Sequence, residues 1–213
     1  LLPISLELGG NDAMIVLDDA DLHRAAAGAL WAGLSNSGQS CAGVERIYVD
    51  AKVYDRFMAE LKRQASVLRQ GDGSFYDVEI GAMTTEKQAK TVKTHLEDAL
   101  AKGATVTPLA TPQAGVGKGT FHLPYAVENV NNNMLLMKEE TFGPLLGIEK
   151  FSTIEEAIAK ANNSDLGLTA SVWTKDRKRG HAVAAKLEAG TVSINDHLMS
   201  HGLAETPWGG FKE

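Results

Sequence analysis

The chain has 213 residues, of which 44% are hydrophobic and 23% are charged, an ordinary balance for a folded globular domain. Its formal net charge of −6 and pI of about 5.5 argue against a nucleic-acid-binding surface, because such surfaces are usually basic. No apolar run approaches the roughly 20 residues of a membrane span, and no signal-peptide pattern stands at the start.

The first part of the chain alternates short apolar runs with helical patterns. The turn signal Gly-Gly-Asn-Asp separates the first two apolar runs, and Asp21 stands where a helix cap is expected. The elements predicted here are strands over residues 4–8, 13–17 and 46–49 and a helix over residues 21–34. A second helix is predicted from the apolar stripe Val53, Phe57, Leu61 and Leu68.

Capping boxes mark two helices further along the chain. Thr85 and Thr153 are each followed three residues later by a glutamine or a glutamate, the pattern typical of a helix start. The first of these helices is predicted to stop at Gly103 and the second near Asn162. The apolar face predicted for the first consists of Val92, Leu96 and Leu100. The remaining predicted elements are a strand over residues 168–174, a helix over 176–189 and a strand over 191–194.

Strands that alternate with helices of roughly 10–15 residues indicate an α/β domain with a largely parallel sheet. No internal repeat, low-complexity segment or linker interrupts the pattern, so residues 1–213 are predicted to form one domain. The glycine-rich residues 115–120 lack the spacing of a phosphate-binding loop and are interpreted as a flexible hairpin loop.

The only cysteine, Cys41, lies in a loop of small and polar residues after the first predicted helix. An isolated cysteine is most often a buried core residue, but small neighbours leave room for a substrate and let backbone N–H groups face an oxyanion. Glu7 interrupts an apolar run, either as an outward-facing strand residue or as a carboxylate aimed into a cleft at the C-terminal end of a strand. A thiol nucleophile and a carboxylate that activates water are the two parts of thiol-based acyl chemistry.

Other candidate sites are weaker. Glu139 and Glu140, which precede Phe142, are either a solvated turn or part of a site. The six histidines include only one loose pair, His197 and His201, so no metal site is predicted. The Gly-x-Ser-x-Gly elbow of serine hydrolases is absent.

Four stretches together resemble the catalytic domain of the aldehyde dehydrogenase superfamily, in the family's order and spacing and over nearly the whole chain. They are residues 7–10, residues 38–41 with Arg46, residues 139–144, and residues 190–195 with 207–212. The resemblance implies a three-layer α/β fold with a largely parallel sheet flanked by helices. It implies that Cys41 is the nucleophile that attacks the aldehyde carbon and that Glu7 is the base that activates the hydrolytic water.

The resemblance also implies a cofactor, NAD or NADP, whose nicotinamide ribose would be bound by Glu140 and whose nicotinamide would lie near Phe142. Gly9 is the third residue expected on the cofactor side, and Asn195 and residues 207–211 are expected to be structural elements around the site. The implied reaction oxidises an aldehyde to a carboxylic acid through a thiohemiacetal and a thioester on the cysteine. Neither the aldehyde nor the preference between the two cofactors follows from these residues.

Two residues depart from the family pattern, Asn11 in place of a lysine and Thr141 in place of an aliphatic residue. The chain starts at Leu1 inside an apolar segment, and the resemblance implies a preceding Rossmann-type cofactor domain and a following oligomerisation arm. Residues 1–213 are therefore expected to be part of a longer homodimer or homotetramer and to lack turnover alone.

The expected partner is a small aldehyde, with neither nucleic acid nor membrane, and a lone cysteine, unable to form an internal disulfide, favours a reducing compartment such as the cytoplasm. Two alternatives remain open. One is a non-catalytic module with the same fold, and the other is an acylating, CoA-dependent member, against which Glu7 argues.

Overall fold

The structure is a computed structural model that describes residues 8–75, 77–113, 116, 119–203, 205 and 209–212. Most of the strand predicted over residues 4–8, Glu7 included, lies outside the described residues, as does most of the loop predicted over residues 115–120.

Nine strands are found in the described part of the chain. They are β1 Asp12–Val16, β2 Val44–Asp50, β3 Arg69–Gln70, β4 Thr105–Pro108, β5 Thr111–Pro112, β6 Tyr125–Glu128, β7 Leu145–Phe151, β8 Thr169–Trp173 and β9 Thr191–Ile194. Seven of them form one sheet in the order β4-β6-β7-β2-β1-β8-β9, in which only β4 runs antiparallel to its neighbour. Strands β3 and β5 form a small parallel pair of their own.

The helices are α1 Leu22–Leu34, α2 Tyr54–Ala65, α3 Glu86–Ala101, α4 Ile154–Asn162 and α5 Arg177–Ala184. Helices α1 and α2 share one hydrophobic core with one face of the sheet, and the other three share a second core with the opposite face. The predicted α/β fold with a largely parallel sheet between helical layers is therefore confirmed.

Side-chain caps explain where the helices begin. In four of the five helices, all but α2, a side-chain oxygen before the helix accepts a hydrogen bond from a backbone N–H of the first turn, which would otherwise have no partner. The capping residues are Asp21, Thr85, Thr153 and Asp176. Gly103, predicted as the stop of α3, has a φ of +93° just after the helix, the left-handed conformation that glycine adopts most easily.

Two predictions about helices were wrong. The helix predicted over residues 176–189 ends at Ala184, because the side chain of Asn162 donates to the Lys186 carbonyl and accepts from the Glu188 N–H, holding this segment in a turn. Leu100 is 45% exposed, whereas the buried face of α3 includes His95. The apolar pattern missed this face because its inward stripe contains a polar residue.

The side chain of Arg46 links the start of β1 to the end of α4 by hydrogen bonds. Its side chain is buried, Nε donates to the Asn11 carbonyl at 2.8 Å, and the two terminal nitrogens donate to the carbonyls of Lys160 and Ala161 at 3.3 and 3.1 Å. Those carbonyls lie in the last turn of α4, where a cation is favoured by the helix dipole. No helix in the described residues combines the length and apolarity that crossing a membrane requires.

Candidate active site

Three segments meet where β7, β2 and β1 begin. Residues 8–11 lead into β1, residues 39–43 into β2, and residues 139–144 into β7, and these strands are parallel neighbours in the sheet. The cluster therefore lies at the amino ends of these three strands. The expectation that Glu7 lies at the carboxyl end of a strand concerns the strand predicted over residues 4–8, most of which lies outside the described residues, and it stays a prediction.

The loop that carries Cys41 leaves α1 through three consecutive residues with left-handed backbone. Asn36, Ser37 and Gly38 have φ values of +52°, +58° and +72°, and such conformations persist in non-glycine residues only where surrounding contacts hold them. A Cβ on Gly38 would lie 2.4 Å from the carbonyl carbon and oxygen of Gly143. The left-handed turn thus brings the cysteine loop against the backbone of the segment that precedes β7.

Side chains of the loop hold this conformation. The Gln39 amide donates to the Asn36 carbonyl at 2.9 Å and accepts from the Thr84 N–H at 2.8 Å. The Ser37 hydroxyl donates to the Gly81 carbonyl at 3.0 Å. The first of these hydrogen bonds lies within the loop, and the other two join the loop to the segment before α3. Together they hold the conformation of the loop.

Cys41 occupies the corner of a tight turn. The Gly43 N–H donates to the Ser40 carbonyl at 2.9 Å, which closes the turn around Cys41 and Ala42. A Cβ on Gly10 would lie 2.4 Å from the Cys41 carbonyl oxygen, so only a glycine permits this approach of the segment before β1. The thiol is partly exposed, as a nucleophile must be.

The surroundings of the Cys41 thiol have opposing effects on its pKa. Burial raises the pKa of Cys41, and the nearby carboxyl groups of Asp12 and Glu140 raise it further, whereas hydrogen bonds from the backbone N–H groups of Ala42 and Cys41 lower it. The net pKa is raised, so the thiol must transfer a proton to a base before it can attack.

Glu140 reaches from the segment before β7 to the glycines before β1. One carboxylate oxygen accepts from the Gly10 N–H at 3.1 Å, and a Cβ on Gly9 would lie 2.2 Å from the other. Burial raises the pKa of this half-buried carboxyl group. Glu140 and Gly9, predicted separately as cofactor residues, are thus in contact.

The buried Glu45 supports the turn between Glu140 and β7. Its two carboxylate oxygens accept from the N–H groups of Thr141 and Phe142 at 2.8 and 2.7 Å, and burial raises its pKa to about 8. Phe142 has a φ of +46° and a partly buried side chain. The carboxyl group therefore holds the backbone conformation that orients Phe142.

Both departures from the family pattern have polar partners. The Thr141 hydroxyl is 3.1 Å from Nδ1 of the buried His95, and the Asn11 amide donates to the Glu139 carbonyl at 3.2 Å. Both contacts tie the 139–141 segment to its surroundings, one to α3 and the other to the start of β1.

Sequence reasoning missed a buried polar network beside Cys41. Asp12 is 2% exposed, accepts from the Thr169 N–H at 3.0 Å and also bonds the Thr169 hydroxyl. Burial raises the pKa of Asp12 to about 7. His197 lies 3.2 Å from the same hydroxyl and 3.1 Å from the Ala42 carbonyl. The sequence contained one signal for this network, because Asp12 is a charged residue at the start of the apolar strand β1.

The other predicted residues divide as follows. Glu7 and residues 206–208 lie outside the described residues. Asn195 pairs through its side-chain amide with the backbone of Thr174 at the carboxyl ends of β8 and β9 and does not contact the Cys41 turn in the described structure. Among the described residues, no group of three or more histidine, cysteine, aspartate or glutamate side chains is arranged to hold a metal ion.

Comparison with known proteins gives a consistent result. The family model described as the aldehyde dehydrogenase family matches residues 1–213. The chain is 43% identical over its full length to a 4,4'-diapolycopene aldehyde oxidase of Methylomonas sp, covering 39% of that protein. It is 42% identical over 98% of its length to an Escherichia coli K12 protein named as an NADP(+) succinate-semialdehyde dehydrogenase, covering 42% of it.

Solved structures agree with these relatives. An aldehyde dehydrogenase from Brucella melitensis biovar abortus 2308 aligns over 97% of this chain with a TM-score of 0.85 and 41% identity. A betaine aldehyde dehydrogenase from Staphylococcus aureus, solved in complex with NAD+, aligns over 97% with a TM-score of 0.89 and 35% identity. The chain covers 41% of each of these structures and about two fifths of the length of the curated relatives.

Proposed function

Because the chain belongs to the aldehyde dehydrogenase family, we propose that the protein carrying it oxidises an aldehyde to a carboxylic acid with NAD+ or NADP+ and that Cys41 is the nucleophile. The observation that carries the proposal is the tight turn at residues 40–43, closed by the hydrogen bond from the Gly43 N–H to the Ser40 carbonyl, which presents a partly exposed thiol next to the backbone N–H groups of Cys41 and Ala42. Such N–H groups stabilise a thiolate, and later an oxyanion on the substrate carbon.

The chemistry follows from the thiol and its neighbours. The Cys41 thiolate adds to the aldehyde carbon and forms a thiohemiacetal, whose oxyanion is stabilised by the N–H of the turn. A nicotinamide bound beside Cys41 would supply the acceptor for the hydride that leaves the former aldehyde carbon, and a thioester would remain on Cys41. Glu7 deprotonates the water that hydrolyses this thioester to the carboxylate. Glu7 takes this role from the family resemblance alone.

The cofactor side of the site consists of Glu140, Gly9 and Phe142. The carboxylate of Glu140 is held by the Gly10 N–H in the space that a side chain on Gly9 would fill, and Glu45 fixes the turn that bears Phe142. A carboxylate is a suitable acceptor for ribose hydroxyls, and an aromatic ring packs against a nicotinamide. These residues fit the role that the resemblance assigns to them.

Activity assays on the full-length protein test the proposal. A panel taken from the relatives' names, succinate semialdehyde, glutarate semialdehyde, betaine aldehyde and a polyene aldehyde, covers acidic, cationic and apolar substrates. We expect formation of NADH or NADPH with at least one of them, and loss of this activity in Cys41→Ala. Wild-type turnover by Cys41→Ala would refute the role of the thiol.

A second variant separates the two chemical steps. We expect Glu7→Gln to retain a burst of NAD(P)H equal to about one equivalent per site and to slow the steady state, because only thioester hydrolysis needs the base. Steady-state turnover restored by CoA in place of water would indicate an acylating enzyme. We expect residues 1–213 alone to form no NAD(P)H, whereas turnover by this segment would contradict a need for the rest of the protein.

A further inference from the structure

His197 lies beside the nucleophile but has no part in the chemistry proposed above. It follows β9 in the chain, is 4% exposed, and crosses the face of β8 between Thr169 and Ser171. Its Nε2 atom is 3.1 Å from the carbonyl oxygen of Ala42, the residue after Cys41. The ring therefore connects the central sheet with the turn that carries the thiol.

The partners of the ring determine which nitrogen carries the proton. The Ala42 carbonyl can only accept, so Nε2 must donate. In the neutral ring Nδ1 then accepts from the Ser171 hydroxyl at 2.8 Å, and the same hydroxyl oxygen accepts from the Trp173 Nε1–H at 3.1 Å. Every donor in this series faces an acceptor, so the network selects the neutral tautomer with its proton on Nε2.

The far side of the network is equally constrained. The Thr169 hydroxyl bonds the Asp12 carboxylate and lies 3.2 Å from His197 Nε2. Asp12 heads β1, directly after the glycines that contact Cys41 and Glu140. The histidine is thus held directly by two side chains of β8 and is linked through Thr169 to Asp12 of the adjacent β1, which relates its position to the segment before β1.

The bond to Ala42 fixes the peptide group that closes the cysteine turn. The Ala42 carbonyl and the Gly43 N–H belong to one planar peptide. Its N–H donates to the Ser40 carbonyl at 2.9 Å, and its carbonyl accepts from His197 at 3.1 Å. Both ends of this peptide plane are therefore held, which limits rotation of the turn.

We propose that His197 is a positioning residue for Cys41, which donates from Nε2 to the Ala42 carbonyl and so holds the turn that carries the thiol. The proposal deepens the proposed function and rests on it insofar as Cys41 is the nucleophile. The proposal assigns this role to the N–H donor at Nε2 and not to the space that the ring fills.

Three substitutions in the full-length protein test it. His197→Gln can place an amide N–H near the position of Nε2, His197→Asn is too short to reach Ala42, and His197→Phe keeps a ring without a donor. We expect the Asn and Phe variants to lower kcat by about tenfold to a hundredfold, the scale of a misplaced reacting group, with the KM for NAD(P)+ unchanged. We expect the Gln variant to restore most of kcat.

The second readout does not need turnover. The rate at which iodoacetamide modifies the Cys41 peptide is followed by mass spectrometry against pH. We expect its midpoint to move to higher pH in the Asn and Phe variants and to stay near wild type in the Gln variant, because the N–H groups of an ordered turn favour the thiolate. His181→Gln, at an exposed position on α5, is the control and should match wild type in both measurements.

The outcomes separate this proposal from the proposed function. If Cys41→Ala is fully active, the proposed function fails, while the alkylation midpoints still decide whether His197 holds the turn. If His197→Phe does not fold, the comparison of the Gln and Asn variants decides. Equal kcat and equal alkylation midpoints in those two variants would overturn the role of the Nε2 donor.

Discussion

The carboxylate of Glu140 occupies the space in which a side chain on Gly9 would lie. A Cβ at Gly9 would be 2.2 Å from Oε2 and 2.9 Å from Oε1 of that carboxylate. The contact is with the end of a side chain and not with backbone, so the carboxylate can move away at little cost to folding. We therefore expect a side chain at position 9 to impair cofactor binding more than it lowers the stability of the fold.

Gly9→Ala is the variant that tests this expectation. We expect the KM for NAD(P)+ to rise by about tenfold, the effect of losing one well-placed hydrogen bond of roughly 1.4 kcal/mol, with a small change in thermal midpoint. Steady-state kinetics with varied cofactor provide the measurement. Gly81→Ala, where an added Cβ meets no atom within 4 Å, is the control. An unchanged cofactor KM in Gly9→Ala would argue against a cofactor role for Glu140.

Among the elements, α1 shows how the approach of a helix to the sheet depends on small residues. Gly28 lies in the helix interior, where glycine normally costs about 1 kcal/mol relative to alanine. Here a Cβ would lie 2.3 Å from the ring of Trp173, which is buried in β8 and also donates to Ser171. The close contact between α1 and β8 thus requires the glycine.

Gly28→Ala should therefore destabilise the protein despite its better helix propensity. We expect a loss of about 1–3 kcal/mol in the free energy of unfolding, the usual cost of overpacking a core, measured by urea denaturation. Ala27→Gly, at the neighbouring exposed position, is the matched control and should cost about 1 kcal/mol from propensity alone. Greater stability of Gly28→Ala than of wild type would show that the Trp173 ring can move aside.

The elements that were predicted from the sequence are those with local signals. Thr85 and Thr153 mark their helices because a cap is a contact within one turn. Strands β4, β6 and β7 were missed, and β7 reads as an apolar run with no alternation, since its first four residues are buried on both faces. Asn162 ends α5 from a distant helix, a tertiary contact that no local pattern contains.

The same distinction applies to the site. Cys41, Glu140 and Gly9 were identified as motif residues, and the structure adds that Glu140 contacts Gly9. Glu45 and His197 were not identified, because their roles depend on partners about 97 and 155 residues away in the chain. Hydrogen bonds between residues so far apart in the chain depend on the order of the strands in the sheet.

At the scale of the whole molecule, the ionisable groups divide into two sets with opposite effects on stability. The pKa values of Asp18, Asp19 and Asp98 are lowered by hydrogen bonds and nearby cations despite some burial, so these groups stabilise the fold above pH 4 and lose that effect in acid. Burial raises the pKa of Asp12 to about 7 and of Glu45 to about 8. The fold binds these two protons more tightly than the unfolded chain, so their contribution declines as the pH rises from about 4 to 8.

Stability should therefore be greatest in mildly acidic solution, and Asp12→Asn should change only the neutral side of the profile. The Asn amide can accept from the Thr169 N–H and donate to its hydroxyl, but it has no charge to bury. We expect the loss of stability between pH 4 and 7, at most about 4 kcal/mol from Asp12 at 1.4 kcal/mol per pKa unit, to be largely absent in this variant. Urea midpoints measured from pH 3 to 8 test this, with Asp55→Asn, whose side chain is 93% exposed, as the control. Because wild type and variant share every other ionisable group, the difference between their urea midpoints at each pH isolates the contribution of Asp12. If the two profiles ran parallel above pH 4, Asp12 would be ionised in the folded protein.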